Sequence, residues 1–446
     1  MKKIIFVLTL ACTQVFAQKW TNLFDGKTLK GWTQKGGQAV YKVEKKQIVG
    51  ETVANTPNSF LCTENEYGDF ILELDLKLDD EMNGGVQFRS LSKQEYQNGR
   101  VHGYQMEVDP SPRAWSGGIY DEGRRDWLYN LNQNPEGQKA FKKLDWNHYR
   151  IEAIGSTIRT FINGVPTAHL IDNMTEKGFI ALQVHGIYGN MKPGMKIRWK
   201  NIRIQTENLV PSPLDNCPVV NLLTNNISEQ EKAQGFKLLF NGKNFDGWHN
   251  QRKSLSPDSR WKIEDGILAI TANTDKKPGI DLLSDSLYAA FELQFDFKLT
   301  DVANSGVKYF VEMLGEEGRK AALGLEYQVL DDEKHPDAKQ GVVGNRTMAS
   351  LYDLIPSDKL DPRFQRKIGG WNQAKVVALP DNTVQHWLNG FKVLEYKRRG
   401  NIYKALVARS KYAVNEGFGM GDKGHILLQD HNDLVYFKNI KIRELK

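Results

Sequence analysis

The nine residues Phe70-Ile-Leu-Glu-Leu-Asp-Leu-Lys-Leu78 return later in the chain as Phe291-Glu-Leu-Gln-Phe-Asp-Phe-Lys-Leu299. In both copies large apolar residues alternate with polar ones. That period of two marks an antiparallel strand with one face buried and one face wet. Working outward, the repeat widens. Leu23-Phe-Asp-Gly-Lys-Thr-Leu-Lys-Gly-Trp32 returns as Leu239-Phe-Asn-Gly-Lys-Asn-Phe-Asp-Gly-Trp248, and Gly85-Val86 as Gly306-Val307. Trp146-Asn147 pairs with Trp371-Asn372, Asn163-Gly164 with Asn389-Gly390, and Leu182-Gln-Val-His185 with Leu428-Gln-Asp-His431. Lys200-Asn-Ile202 closes the first copy as Lys438-Asn-Ile440 closes the second. The order never changes, so one domain has been duplicated in tandem, each copy being large enough to bury its own core.

The offset between the copies grows from 216 (Trp248 against Trp32) to 246 (His431 against His185), which places about 30 extra residues in the second copy, expected mostly around Leu351–Gly370. Asn-Gly between strand-like runs signals tight hairpins. Many short strands with regular turns predict an all-β protein of two sandwich domains, at 18–206 and 235–446. The connecting stretch, 207–234, holds Pro211, Pro213 and Pro218. Ser228-Glu-Gln-Glu231 within it predicts a capping box and one short helix.

Residues 1–17 read as a secretory signal peptide: Lys2 and Lys3, an apolar run, then Val15-Phe-Ala17 before Gln18. Export to the periplasm is the expectation, with lipid anchoring at Cys12 the weaker alternative. No later run approaches the length of a membrane-spanning segment. The net charge is +6, or +4 without Lys2 and Lys3, and both signs are interspersed, which argues against a nucleic-acid partner. Cys62 and Cys217 are too few for a cysteine-based zinc site, and nothing requires them to pair. Metallopeptidase, serine-hydrolase and nucleotide-binding motifs are all missing from the sequence.

Chemistry-bearing residues gather in Gly103–Leu128. Gln105, Glu107 and Asp109 alternate with Tyr104, Met106 and Val108, and a loop then supplies Tyr120, Asp121, Arg124, Arg125 and Trp127. Gln87 and Arg89 alternate with Val86 and Phe88, and Gln183 and His185 with Leu182 and Val184. Side by side, these three rows would place an arginine, carboxylates, amides and an imidazole on one sheet face. Each also has a plainer reading: His185 as a structural hydrogen-bonder, Glu107 as a solvated carboxylate, Arg124 and Arg125 as surface ion pairs. The second copy departs here. Phe310 stands at the place of Arg89, Glu326 at that of Gln105 and Gln328 at that of Glu107, which points to the first domain as the main active site.

The opening LFDGKxLxGW, the Gly-Tyr-Gln-Met-Glu-Val-Asp strand, Gly-Gly-Ile-Tyr-Asp, Trp-Asn, Asn-Gly, Leu-Gln-x-His and Lys-Asn-Ile together resemble the 3-keto-disaccharide hydrolase domain family. The resemblance implies two tandem concanavalin-A-like jelly rolls acting on sugars oxidised at carbon 3. Such a ketone acidifies the hydrogen on carbon 2, and a base that removes it lets the enolate expel the glycosidic oxygen at carbon 1. Glu107 or His185 could be that base, and Arg89 could stabilise the enolate. Gln87, Gln105, Asp109, Tyr120, Asp121, Arg124, Arg125, Trp127 and Gln183 would bind the sugar. Whether a metal takes part is unknown; a divalent ion held by His185 and a carboxylate would also serve. The rival reading is a lectin-like protein that binds carbohydrate without cleaving it.

Overall fold

A computed structural model describes residues 19–250, 257, 260–271, 279–314, 321–359 and 361–446. The signal-peptide expectation and Cys12 lie outside them. The chain forms two compact units, one made of residues up to Leu128, Glu136–His169 and Asn173–Pro213, the other of Tyr129–Pro135, Leu170–Asp172 and Leu214–Lys446. Each holds two antiparallel sheets, the architecture of a concanavalin-A-like jelly roll.

In the first unit the larger sheet runs, in spatial order, Val40–Glu44, Gln47–Glu51, Lys196–Gln205, Phe70–Leu78, Asn147–Ile154, Thr157–Ile162 and Val165–Ile171. The smaller sheet runs Trp32–Gly36, Ser59–Tyr67, Gly178–Val184, Gly84–Leu91, His102–Val108, Ile119–Glu122 and Asp126–Tyr129. The alternation of Phe70–Leu78 has its physical basis here. Leu72, Leu74 and Leu76 are fully buried. Glu73, pointing the other way, receives Arg150 at 2.6 Å and Arg203 at 2.5 Å. Phe70 meets Phe88 of the opposite sheet edge-on, and Phe88 stacks on Tyr104 at 5.7 Å, so aromatic area seals the two layers together.

The second unit repeats the plan. Its larger sheet is ordered Trp261–Glu264, Ile267–Ile270, Val435–Glu444, Phe291–Leu299, Trp371–Ala378, Thr383–Leu388 and Phe391–Lys397. The two Asn-Gly turns are alike as well: φ is 52° and 81° at Asn163 and Gly164, and 48° and 81° at Asn389 and Gly390. Two consecutive positive φ angles twist the turn as the flanking strands twist, which is why Asn-Gly serves there.

Two expectations shift. The extra residues of the second copy do not sit mostly around Leu351–Gly370. The offset is still 226 at Asn389 (against Asn163) and reaches 246 at His431 (against His185), so about 20 of the 30 fall between. They build the helix Asn401–Ala408 and the short turn of helix Lys411–Val414. From Leu214 onward, moreover, the connecting stretch is part of the second unit's fold. Ser228 and Glu231 cap the helix Glu229–Ala233 reciprocally, and Glu231 also forms a buried ion pair with Lys441. Cys62 and Cys217 are buried and not joined in a disulfide. Among the described residues no helix is long and apolar enough to cross a membrane.

Candidate active site

Register decides which side chains meet on the smaller sheet of the first unit. Gln183 lies opposite Gly85, and Gly85 opposite Glu107; in the next row stand Ala181, Gln87, Gln105 and Tyr120. Directly opposed residues share a face. These side chains therefore project from the surface turned away from the core, where Val86, Phe88, Tyr104 and Met106 point. A Cβ on Gly85 would come within 2.4 Å of the Gln105 amide carbon. Glycine is what lets Gln105 lean across the sheet.

The amides form a chain with one direction. Ser90 Oγ donates to Gln87 Oε1 at 2.6 Å, Gln87 Nε2 to Gln105 Oε1 at 2.7 Å, and Gln105 Nε2 to Glu107 Oε2 at 2.9 Å. From the other side Asn83 Nδ2 donates to Glu107 Oε1 at 2.6 Å. Glu107 is only 4% exposed. Burial pushes its ionisation up to about 7, against the pull of the Asn83 and Gln105 donors and of Arg113, and with a further push from Asp109. A carboxyl poised there exchanges protons at neutral pH. Next to it, Gln183 is fully buried with both amide atoms unpaired, leaving hydrogen-bonding capacity at the site.

His185 ends the Gly178–Val184 strand half-buried, its Nδ1 2.7 Å from the Gly186 carbonyl. A carbonyl only accepts, so Nδ1 carries the proton and Nε2 presents a lone pair. Burial lowers its pKa, which favours that neutral form. Asn58 accepts from the Gly186 amide at 2.9 Å and approaches Glu122 at 3.4 Å, tying the His185 turn to a second carboxyl on the same face. Glu122, opposite Gly103, is also raised by burial.

The rim is aromatic and cationic. Asp109 binds Arg113, whose guanidinium lies 4.6 Å from the Trp115 ring and 5.3 Å from that of Trp127. Trp127 meets Tyr120 edge-on at 5.3 Å, and the Tyr120 hydroxyl donates to Asp126 at 3.0 Å. Burial first, then the charges of Asp126, Glu122 and Glu107, hold the Tyr120 phenol well above its ordinary value.

Not every expected residue joins this group. Arg89 does not share the face of Glu107. It sits at a bulge, with φ of 45°, where the strand slips register against both neighbours and the alternation from Gln87 is broken. Its guanidinium is buried and spent on the Gly68 carbonyl (2.9 Å), the Gly155 carbonyl (2.8 Å) and Asp69 (2.9 Å). The second copy keeps the bulge at Phe310 (φ 51°), and Arg398 lies over that ring at 3.7 Å. Arg89 is thus scaffold.

Asp121, Arg124 and Arg125 also lie elsewhere. Asp121 opposes Tyr104 and so faces inward, fully buried, where it pairs with Arg124 (2.7 Å) and Arg125 (2.6 Å). These three brace the interior end of the loop.

Asn83, Arg113 and Glu122 were missed by the reading of the sequence. Asn83 had a signal, since it recurs as Asn304 just before the shared Gly-Val pair. Arg113 follows Asp109 by four residues across two prolines, a spacing with no regular element to interpret it.

For a divalent ion, no three His, Cys, Asp or Glu side chains come together among the described residues.

A two-sheet sandwich whose outer face gathers raised carboxyls, amides and an aromatic rim defines a class, the concanavalin-A-type jelly roll with a polar site on one sheet. Within that class the chain belongs to the 3-keto-alpha-glucoside-1,2-lyase-like domain family, whose sequence model matches residues 19–205 and again 235–443. A 3-keto-disaccharide hydrolase of Bacteroides thetaiotaomicron is 34% identical over 235 residues, which are 48% of this chain and 79% of that protein. Among solved structures, a candidate glycosyl hydrolase from Parabacteroides distasonis aligns at 30% identity and a TM-score of 0.44, over 50% of this chain and all of that one. The carbohydrate-binding module CBM66 of Bacillus subtilis aligns at 18% identity and a TM-score of 0.30, over 39% of this chain and 95% of its own.

Proposed function

We infer that the first domain cleaves glycosidic bonds of sugars carrying a ketone at carbon 3, with Glu107 as the base that removes the carbon 2 proton. The observation that carries this is the donor-clamped, buried carboxyl of Glu107, with its ionisation near 7. Family membership and the hydrolase relative support the substrate class. Once the proton is taken, the electron pair moves into the carbon 3 oxygen and the bond from carbon 1 to the leaving oxygen breaks. Glu122, whose ionisation burial also raises, supplies a proton to that oxygen. Gln183 hydrogen-bonds a sugar hydroxyl, and the Arg113, Tyr120 and Trp127 rim holds the ring. The neutral His185 offers Nε2 as a further acceptor. Water added to the unsaturated product completes a net hydrolysis; without it the reaction is a lyase's.

The test is release of aglycone from a 3-keto-glucoside in deuterated water. Deuterium at carbon 2 of the product is the expected result, together with a rate that rises about tenfold per pH unit below 7 as Glu107 ionises. Cleavage without label would point to direct displacement between two carboxyls. Binding without cleavage would leave a lectin.

A further inference from the structure

The second domain has its own cavity on the equivalent sheet face, about 180 Å³ in volume. One water needs roughly 10–15 Å³ by the same measure, so the space suits a ligand of monosaccharide size. Its chemistry has been exchanged relative to the first domain. Lys308 stands where Gln87 does, Glu326 where Gln105 does, and Gln328 where Glu107 does. The amide chain is gone, replaced by a cation and an anion 3.8 Å apart. Glu326 is raised by burial, with Lys308 pulling it back.

A second cation arrives from the inserted segment. Lys411 lines the cavity beside Tyr412, its ammonium 4.1 Å from the Tyr352 ring and 5.2 Å from that of Tyr412. Among the described residues its ammonium makes no hydrogen bond or ion pair; Asp353 accepts from the Lys411 backbone amide and is paired with Arg346. Glu326 faces both lysines, so two ammonium groups share one carboxylate in the cavity lining. Tyr352, whose hydroxyl donates to Asp337 at 2.7 Å, and Tyr412, which stacks on Phe418 at 3.9 Å, are both buried walls. Aromatic walls receive the apolar face of a pyranose, and an ammonium above them receives an anionic substituent.

We propose that the second domain binds a pyranose bearing an anionic group, with Lys411 and Lys308 as the cations that select it and Tyr352 and Tyr412 as the ring platform. The assignment stands independently of the reaction in the first domain.

Calorimetric titration of the full chain at pH 7 tests it, using glucuronate, glucose 6-sulfate, glucuronate methyl ester, glucose and inorganic sulfate. The expected result is that at least one charged sugar binds about tenfold more tightly than both glucose and the methyl ester. That preference should vanish in the Lys308→Gln/Lys411→Gln variant. Glucuronate and glucose 6-sulfate separate a carboxylate from a sulfate ester as the anionic group. Equal affinity for charged and neutral sugars, sulfate alone binding as well as the sugars, or no binding at all would each overturn the proposal. So would a preference that survives in the double variant. The methyl-ester comparison needs only the unaltered protein, so misfolding of a variant cannot obscure the outcome.

Discussion

Glu107→Gln separates the electrostatic cost of the site from its packing. In the fold the carboxyl ionises at about 7 instead of 4.5, because burial disfavours the charge. A raised carboxyl binds its proton more tightly folded than unfolded, so its contribution to stability is intact below pH 4.5 and is lost as pH rises to about 7. The loss amounts to about 3 kcal/mol at 1.36 kcal/mol per unit of pKa. Glutamine keeps the shape and the bond from Asn83, but it sets one amide donor against that of Gln105. That mismatch costs on the order of 1–3 kcal/mol at every pH. The absolute stability of the variant is therefore uninformative, and its pH dependence is the measurement. Denaturant unfolding of both proteins from pH 4.5 to 8.5 should show the variant gaining about 3 kcal/mol relative to the parent across the range. A difference that stays flat with pH would refute the view that Glu107 is a buried, reluctant anion, and the base assignment would go with it.

Arg89→Met should lower the stability of the first unit by about 2–4 kcal/mol while leaving the turnover of folded protein nearly unchanged, as thermal melts paired with rate measurements would show. Lys441→Met should destabilise the second unit by about 3–5 kcal/mol by stranding Glu231, and Lys441→Met/Glu231→Gln should recover much of that in the same melts. Asp109→Asn should free Arg113 from its place over Trp115 and Trp127 and raise KM about tenfold with little change in kcat, read from steady-state kinetics.

The sandwich was legible because strand alternation and its repetition are local properties of the chain. Phe70–Leu78 needs no partner to be read as a strand, and two copies in one order fix the domain plan. The site was legible only as far as alternation stayed unbroken. Gln87, Gln105, Glu107 and Gln183 keep their parity and meet as expected. Arg89 is one step beyond a bulge, and a single inserted residue turns every side chain after it to the other face. Asp121 looked equivalent to Tyr120, yet neighbours on a strand point in opposite directions. Glu122, which does share the face, was hidden in the same four residues. The insertion was misplaced for a related reason: the length difference is visible in sequence, but the matching of Asn389 and His431 had to be followed to find where it enters.

The one-way donor chain has a consequence for where a captured hydrogen resides. Both oxygens of Glu107 are engaged from within the sheet by N–H groups, which have nothing to accept with. A proton gained by this carboxyl must occupy an outward lone pair, and no relay of acceptors leads it back through Gln105 and Gln87 to solvent. It waits beside the bound molecule it came from. A base built in this way trades its hydrogen only through its open side, so the architecture of three amides and a serine acts as a one-sided seal.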